Sequence, residues 1–189
     1  NLTNIQPRAL DLWTNFKQVQ FGISMDGIGA TLEYVRNPLK SSLMEKNLKK
    51  LDEVGTESMN FRAWIAFTIG SLNAFHVPDF LKWKIEQDFA IISPMMKNNP
   101  KPFANIHPIH KPHELSTRFL PKEVKDQVRD SWEEFRQEFR DSIVDTIDFH
   151  SPAKKNPKMM GIIKPANRQW AIDKMDQLLD NNLNFMYGE

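Results

Sequence analysis

Apolar positions along this chain switch repeatedly between strand-like and helical period, and each change marks an element. Val19 to Ser24 is a short apolar run with strand character. Phe61 to Ile69, FRAWIAFTI, is aromatic and β-branched and is bounded by Asn60 and Gly70, which predicts a strand. Phe89 to Ile92 reads as a third strand, stopped at Ser93-Pro94. Between these runs the period is helical. Pro7 to Phe16 carries Leu10, Leu12, Trp13 and Phe16, with Pro7 in the first turn. Ile28 to Val35 is a short helix ended by Asn37-Pro38. A longer helix starts at Ser41 or Ser42, carries Leu43, Leu48, Leu51 and Val54, and is expected to end at Gly55. Val77 to Gln87 is a further helix.

Helix, strand, helix, strand, helix, strand is the order of an α/β protein with parallel strands. The pattern changes at Pro94. Residues 94 to 113 hold Pro94, Pro100, Pro102, Pro108 and Pro112, so this stretch is irregular and cannot be one regular helix. Glu114 to Phe119 reads as a short extended piece. From Pro121, an apolar stripe of Val124, Val128, Trp132, Phe135, Phe139, Ile143 and Ile147 predicts one long helix. Ser151 to Pro165 reads as a second loop, and Arg168 to Leu183 as a final helix. The expected organisation is residues 1–120 as an α/β unit and residues 121–189 as a helical extension.

Composition narrows the function classes. The 189 residues suffice for a buried core, and 26% charged residues are ordinary for a globular chain. A net charge of +1 gives no overall field for nucleic acid or an anionic membrane. No apolar run approaches the roughly 18 residues of a membrane-spanning helix. No secretory signal is visible, which makes a cytoplasmic location the expectation. The chain contains no cysteine, which excludes disulfides, thiolate metal sites and cysteine nucleophiles within these residues. Leu2-Thr3-Asn4 reads like the end of a buried strand, so the chain is expected to be a portion of a longer protein.

Candidate chemistry gathers where the first strand ends. Ser24 and Asp26 are two residues apart and, if the strand continues, share a face. A hydroxyl and a carboxylate there suit ribose hydroxyls or an amino group, and Arg36 suits a carboxylate held in bidentate fashion. The same residues also fit turn chemistry, with Arg36 solvated on its helix. Thr68, Leu72 and Asn73 follow the second strand. Asn73 fits either a ligand contact or a helix N-cap, and Leu72 either packing on a ring or strand-end packing. His107, His110 and His113 form a His-x2-His-x2-His run whose imidazoles are weak candidates for a metal, since the prolines between them give the spacing no fixed geometry.

The block Ser24-Met25-Asp26-Gly27-Ile28-Gly29, followed by Glu33-Tyr34-Val35-Arg36 and Pro38, resembles the fourth-strand region of radical S-adenosylmethionine enzymes. Within that family it is most similar to the group with twitch or SPASM-like extensions. Asn47 to Leu51 matches a following N-x-x-x-L helix. Phe67 to Asn73, then Val77-Pro78-Asp79-Phe80, is similar to that group's fifth strand and next helix. Leu115-Ser116, Leu120-Pro121 and Lys125 look like the segment after its sixth strand. The resemblance spans most of residues 1 to 125.

The resemblance implies a partial (β/α) barrel fragment followed by a Pro-rich loop and C-terminal helices. It implies S-adenosylmethionine as cofactor, with Ser24, Asp26, Arg36, Thr68, Leu72 and Asn73 as its contacts, and a small-molecule or peptide substrate of unspecified identity. The family's Cys-x3-Cys-x2-Cys loop is absent, so the [4Fe–4S] cluster belongs only to a full-length parent and this portion is expected to be inactive as written. A homodimer covering an exposed barrel edge is a further expectation. The alternative is a cluster-free, non-enzymatic α/β domain that binds a small ligand or a protein partner through its strand ends.

Overall fold

A computed structural model describes residues 2–99 and 101–188. The chain is an α/β protein, with a three-stranded parallel sheet and seven helices among the described residues. In chain order these are α1 (Pro7–Thr14), β1 (Val19–Ser24), α2 (Gly29–Val35), α3 (Ser41–Ser58), β2 (Phe61–Ile69), α4 (Val77–Gln87), β3 (Asn105–Pro108), α5 (Lys122–Asp141), α6 (Ser151–Lys155) and α7 (Arg168–Tyr187). The strands lie in the order β1-β2-β3. Val19 to Ser24 pair in register with Phe61 to Ala66, and Ala66 to Ile69 with Asn105 to Pro108.

Alternation along β2 divides the sheet into two faces. Phe61, Ala63, Ile65, Phe67 and Ile69 are buried, whereas Arg62 is exposed and Trp64, Ala66 and Thr68 are half-buried. The buried set meets the helices. Phe21 packs edge-on against Trp13 of α1 and Phe61, at 5.2 and 5.0 Å, and Phe67 meets Phe80 of α4 at 4.7 Å. The opposite face carries Gln20, Gly22 and Ser24 of β1 beside Arg62, Trp64, Ala66 and Thr68, all exposed or half-buried. Parallel sheets are normally covered on both faces; here the second face is only partly covered, with Lys101 over the Trp64 ring and Met159, Ile162 and Ile163 flanking a cavity beside Arg62 and Trp64. Gly22 lets the Trp64 ring lie close across it. A Cβ at that position would stand 3.1 Å from Trp64 Cζ2.

The expected third strand at Phe89 to Ile92 does not form. Ile92 makes one parallel bridge to Ala63, Ala63 N–H donates to Ile91 O, and Ser93 N–H donates to Ala63 O. There the ladder stops, because Ser93 adopts a left-handed φ of +43° and Pro94 has no N–H to continue it. The chain leaves the sheet and returns as β3, inside the stretch expected to be irregular.

Other boundaries shift for local reasons. Helix α3 continues past Gly55 to Ser58 and is capped by left-handed Met59. Gly55 instead allows close packing, since a Cβ there would lie 3.0 Å from Ile91 and Phe61 side-chain atoms. Residues 114 to 119 are not extended but form two 3-10 turns, His113–Leu115 and Thr117–Phe119. The loop expected from Ser151 to Pro165 contains α6 and the 3-10 turn Pro157–Met159. Helix α5 stops at Asp141, where Ser142 Oγ bonds to Glu138 O, and a 3-10 turn carries Ile143 onward so that the apolar stripe outlasts the helix. Helix α7 runs four residues beyond Leu183, to Tyr187.

Helix α5 buries Val128, Trp132, Phe135 and Phe139, and Trp132 Nε1 donates to Ala74 O just after β2. These side chains, those of α7 and those of the sheet's covered face form one hydrophobic cluster. Among the described residues no helix is long and apolar enough to cross a membrane.

Candidate functional site

The C-terminal ends of β1 and β2 are joined by two side chains. Asp26 lies two residues beyond β1 and is only 5% exposed. Its Oδ1 accepts the Thr68 N–H of β2 at 2.7 Å, and its Oδ2 pairs with Arg36 Nε at 2.7 Å. Asn73 is 3% exposed and completes the tie. Its Nδ2 donates to Asp26 O and Thr68 O, both at 2.9 Å, and its Oδ1 accepts the Gly70 N–H at 2.8 Å. Buried polar groups require such partners, and here they fix two strand ends relative to each other.

The turn that follows is fixed as well. Gly27 has a φ of +152°. His76, just before α4, accepts the Ile28 N–H on Nε2 at 3.0 Å, while its Nδ1 stands 3.4 Å from Asp79. A Cβ on Gly27 would approach His76 Cδ2 to 3.0 Å, so the glycine admits the imidazole. Gly29 N–H donates to Ser41 Oγ at 2.9 Å, which links the start of α2 to the start of α3. Glu33 of α2 accepts from Ser41 N–H at 3.1 Å and pairs with Lys40 at 3.0 Å.

The six expected site residues come together at this edge but divide by availability. Asp26 and Asn73 are spent on the backbone and on Arg36. Asp26 turns across to β2, because the strand ends at Ser24 and its side-chain alternation does not extend further. Ser24 is half-buried on the face opposite the helices, and among the described residues its hydroxyl has no hydrogen-bond partner. Arg36 caps α2 with its side chain 28% exposed; Nε is committed to Asp26 and its Nη atoms engage no described residue. Thr68 offers a half-buried side chain on the same face, its N–H already given to Asp26. Leu72 is 53% exposed at the rim, beside exposed Phe75. The edge therefore presents a hydroxyl, a pinned guanidinium and an apolar lip. That combination suits a ligand with a carboxylate and a flat apolar part.

The three loop histidines do not converge. His107, His110 and His113 are exposed, with His110 edge-on to Phe185 at 4.9 Å and His113 stacked on Phe119 at 4.5 Å. Among the described residues, no three His, Asp or Glu side chains are placed to hold a metal ion.

Two buried ionisable groups lie deeper. Lys84 of α4 is fully buried; its ammonium bonds Ser93 O at 3.0 Å and Ile92 O at 3.3 Å and sits 3.8 Å from the Phe103 ring centre. Burial pushes its pKa down to about 7, opposed by the charge of Asp52. Asp52 of α3 accepts N–H groups from Ala90 and Ile91, and its carboxyl is raised by burial against those bonds. Lys84 was readable in part, since it falls four residues after Phe80 on the apolar side of α4. His76 gave no periodic signal, because its role comes from a contact 48 residues away in sequence.

No protein-family model, curated protein or solved structure matches this chain.

Proposed function

We propose that residues Ser24 to Asn73 form the S-adenosylmethionine-binding edge of a partial (β/α) barrel of the radical S-adenosylmethionine type. The observation that carries this reading is Arg36, pinned through Nε to buried Asp26 at the C-terminal end of a parallel strand, with its Nη atoms unengaged. In α/β sheets and barrels that end is where ligands bind. The sheet face that carries Ser24, Trp64 and Thr68 supports the barrel half of the reading, because it lies opposite the helix-covered face, and a (β/α) barrel turns that face toward its interior.

The residues fit the cofactor's organic part. Arg36 receives the methionyl carboxylate, Ser24 offers a hydroxyl to the amino group or ribose, and Leu72 packs against the adenine. Asp26, Asn73 and His76 act as positioning residues that hold the strand ends and the Gly27 turn. The residues do not fit a [4Fe–4S] cluster, because the chain has no cysteine. Cluster ligands would come from outside these residues, and no step through a cluster is assigned to them. When bound in a complete enzyme of this type, the cofactor supplies hydrogen-atom abstraction from substrate. This chain's share is to bind and orient it.

The test is a backbone amide spectrum of the chain titrated with S-adenosylmethionine. Saturable shifts at Ser24, Thr68 and Leu72 are expected, with residues of α7 unmoved. No shift at the strand ends with millimolar cofactor contradicts the reading and leaves the alternative, a cluster-free domain that binds another ligand or a protein partner.

A further inference from the structure

A second cavity lies away from the strand ends. It has a volume of about 720 Å³, between the excursion that leads from Ile92 to β3 and one side of α7. That volume is within the range of small-molecule sites. Its walls are tied in place. The Met96–Pro165 bridge joins the excursion to the segment before α7. Lys97 N–H donates to Lys164 O at 2.8 Å, and Asn98 exchanges side-chain bonds with Ile162 O at 2.7 Å and Lys164 N–H at 3.0 Å. Lys84 holds Ser93 O at one root of the excursion and underlies Phe103 at the other. The cavity is thus preformed rather than a gap beside a free loop.

Its charge is one-sided. Lys97, Lys101 and Lys174 line it, and among the described residues no acidic side chain does. None of the three is ion-paired: Lys101 lies over the Trp64 ring at 4.4 Å, Lys174 donates to the Gln177 amide at 2.9 Å, and Lys97 Nζ has no described partner. Elsewhere the α5–α7 surface pairs its cations with carboxylates, as in Arg136 with Asp180 and Arg140 with Asp176. Trp170 and Phe103 give the cavity aromatic wall. Asn181 and Asn182 add amides, and Asn182 donates to Leu178 O, which leaves its amide oxygen without a described partner.

We propose that this cavity binds an aromatic polyanion of the nucleoside diphosphate class, with the diphosphate met by Lys97, Lys101 and Lys174 and the base set against Trp170 and the asparagine amides. Ammonium groups on flexible stems suit phosphate as point charges. The amides offer both donors and acceptors for a base edge. The proposal does not depend on the strand-end reading, because none of the residues named there lines this cavity.

The test is calorimetric titration of the 189-residue chain with ADP, with adenosine and inorganic pyrophosphate as separate probes. ADP is expected to bind, and to weaken at least about tenfold when Lys97→Gln and Lys174→Gln are combined. Both lysines are exposed, so the variant folds. Adenosine and pyrophosphate are each expected to bind at least about tenfold more weakly than ADP. Trp170→Leu should weaken ADP more than pyrophosphate, and Arg36→Ala should leave ADP binding unchanged. No ADP binding at about 1 mM overturns the proposal. So does an ADP affinity unmoved by the lysine pair, lost in Arg36→Ala, or matched by adenosine or pyrophosphate alone.

Discussion

The corner where β1 and β2 end and the wall where the chain loops out between Ile92 and β3 are built in opposite ways. At the corner, Asp26 Oδ1 and both side-chain polar atoms of Asn73 meet backbone groups of neighbouring segments and Asp26 Oδ2 pairs with Arg36, so the geometry is set by short directional bonds. At the wall, an excursion with several prolines is held at its roots by one buried amine, and the chain between is shaped by packing and a few amide bonds. Hydrogen bonds to the backbone fix position within a few tenths of an ångström, which suits a site that must orient a ligand. A buried amine carries a desolvation cost and ties the wall's stability to pH. One sheet thus supports a corner fixed by directional bonds and a wall tied to a buried amine.

That contrast is open to attack from either side. The largest effect is expected at the corner. Asn73→Ala removes three hydrogen bonds and leaves the Gly70 N–H buried without its partner, for a loss of about 3 kcal/mol in urea unfolding. A loss under about 0.5 kcal/mol would mean that the corner is not held as described.

The wall should show itself in the pH dependence. Lys84 has a folded pKa near 7, below its unfolded value, so between the two the unfolded chain binds the extra proton. The Lys84 contribution should be flat below pH 7 and should make stability rise above it, by about 1 kcal/mol per pH unit toward pH 9. Lys84→Met keeps the apolar stem without the charge and should remove that rise. An unchanged slope in Lys84→Met would sink the assignment.

A smaller effect belongs to His76. His76→Ala leaves the Ile28 N–H without its acceptor and opens space beside Gly27, for about 1 kcal/mol. The expected accompaniment is faster amide exchange at Ile28 and Gly29, with Ser93 unaffected. Equal changes at both places would erase the distinction between corner and wall.

Legibility in the sequence followed how local each cause is. Strands β1 and β2 were readable from a short apolar run and an aromatic, β-branched run bounded by Asn60 and Gly70, and α4 from the helical spacing of its apolar residues. Strand β3 was not readable. It has four residues, two of them polar and one a proline, and it forms because β2 offers an unpaired edge. Residues 89 to 92 have the better strand composition and lose the ladder to Ser93 and Pro94. The candidate site was visible as residue types at a strand end, which placed Ser24, Asp26 and Arg36 together. Their division of labour was not, because Asp26 is claimed by the Thr68 N–H, 42 residues away. The same holds for Asn73, where a cap was one expectation and a three-way strand tie is what forms.

The most direct test of the central claim is calorimetric titration of S-adenosylmethionine into the chain and into Arg36→Ala and Arg36→Lys. If Arg36 presents its Nη atoms to the cofactor's carboxylate while Asp26 holds Nε, both variants should bind at least about tenfold more weakly. Lysine should fail to rescue, because one ammonium cannot serve Asp26 and the ligand in a fixed fork. Cofactor affinity unchanged in Arg36→Ala, in a variant that still unfolds cooperatively, would contradict the account.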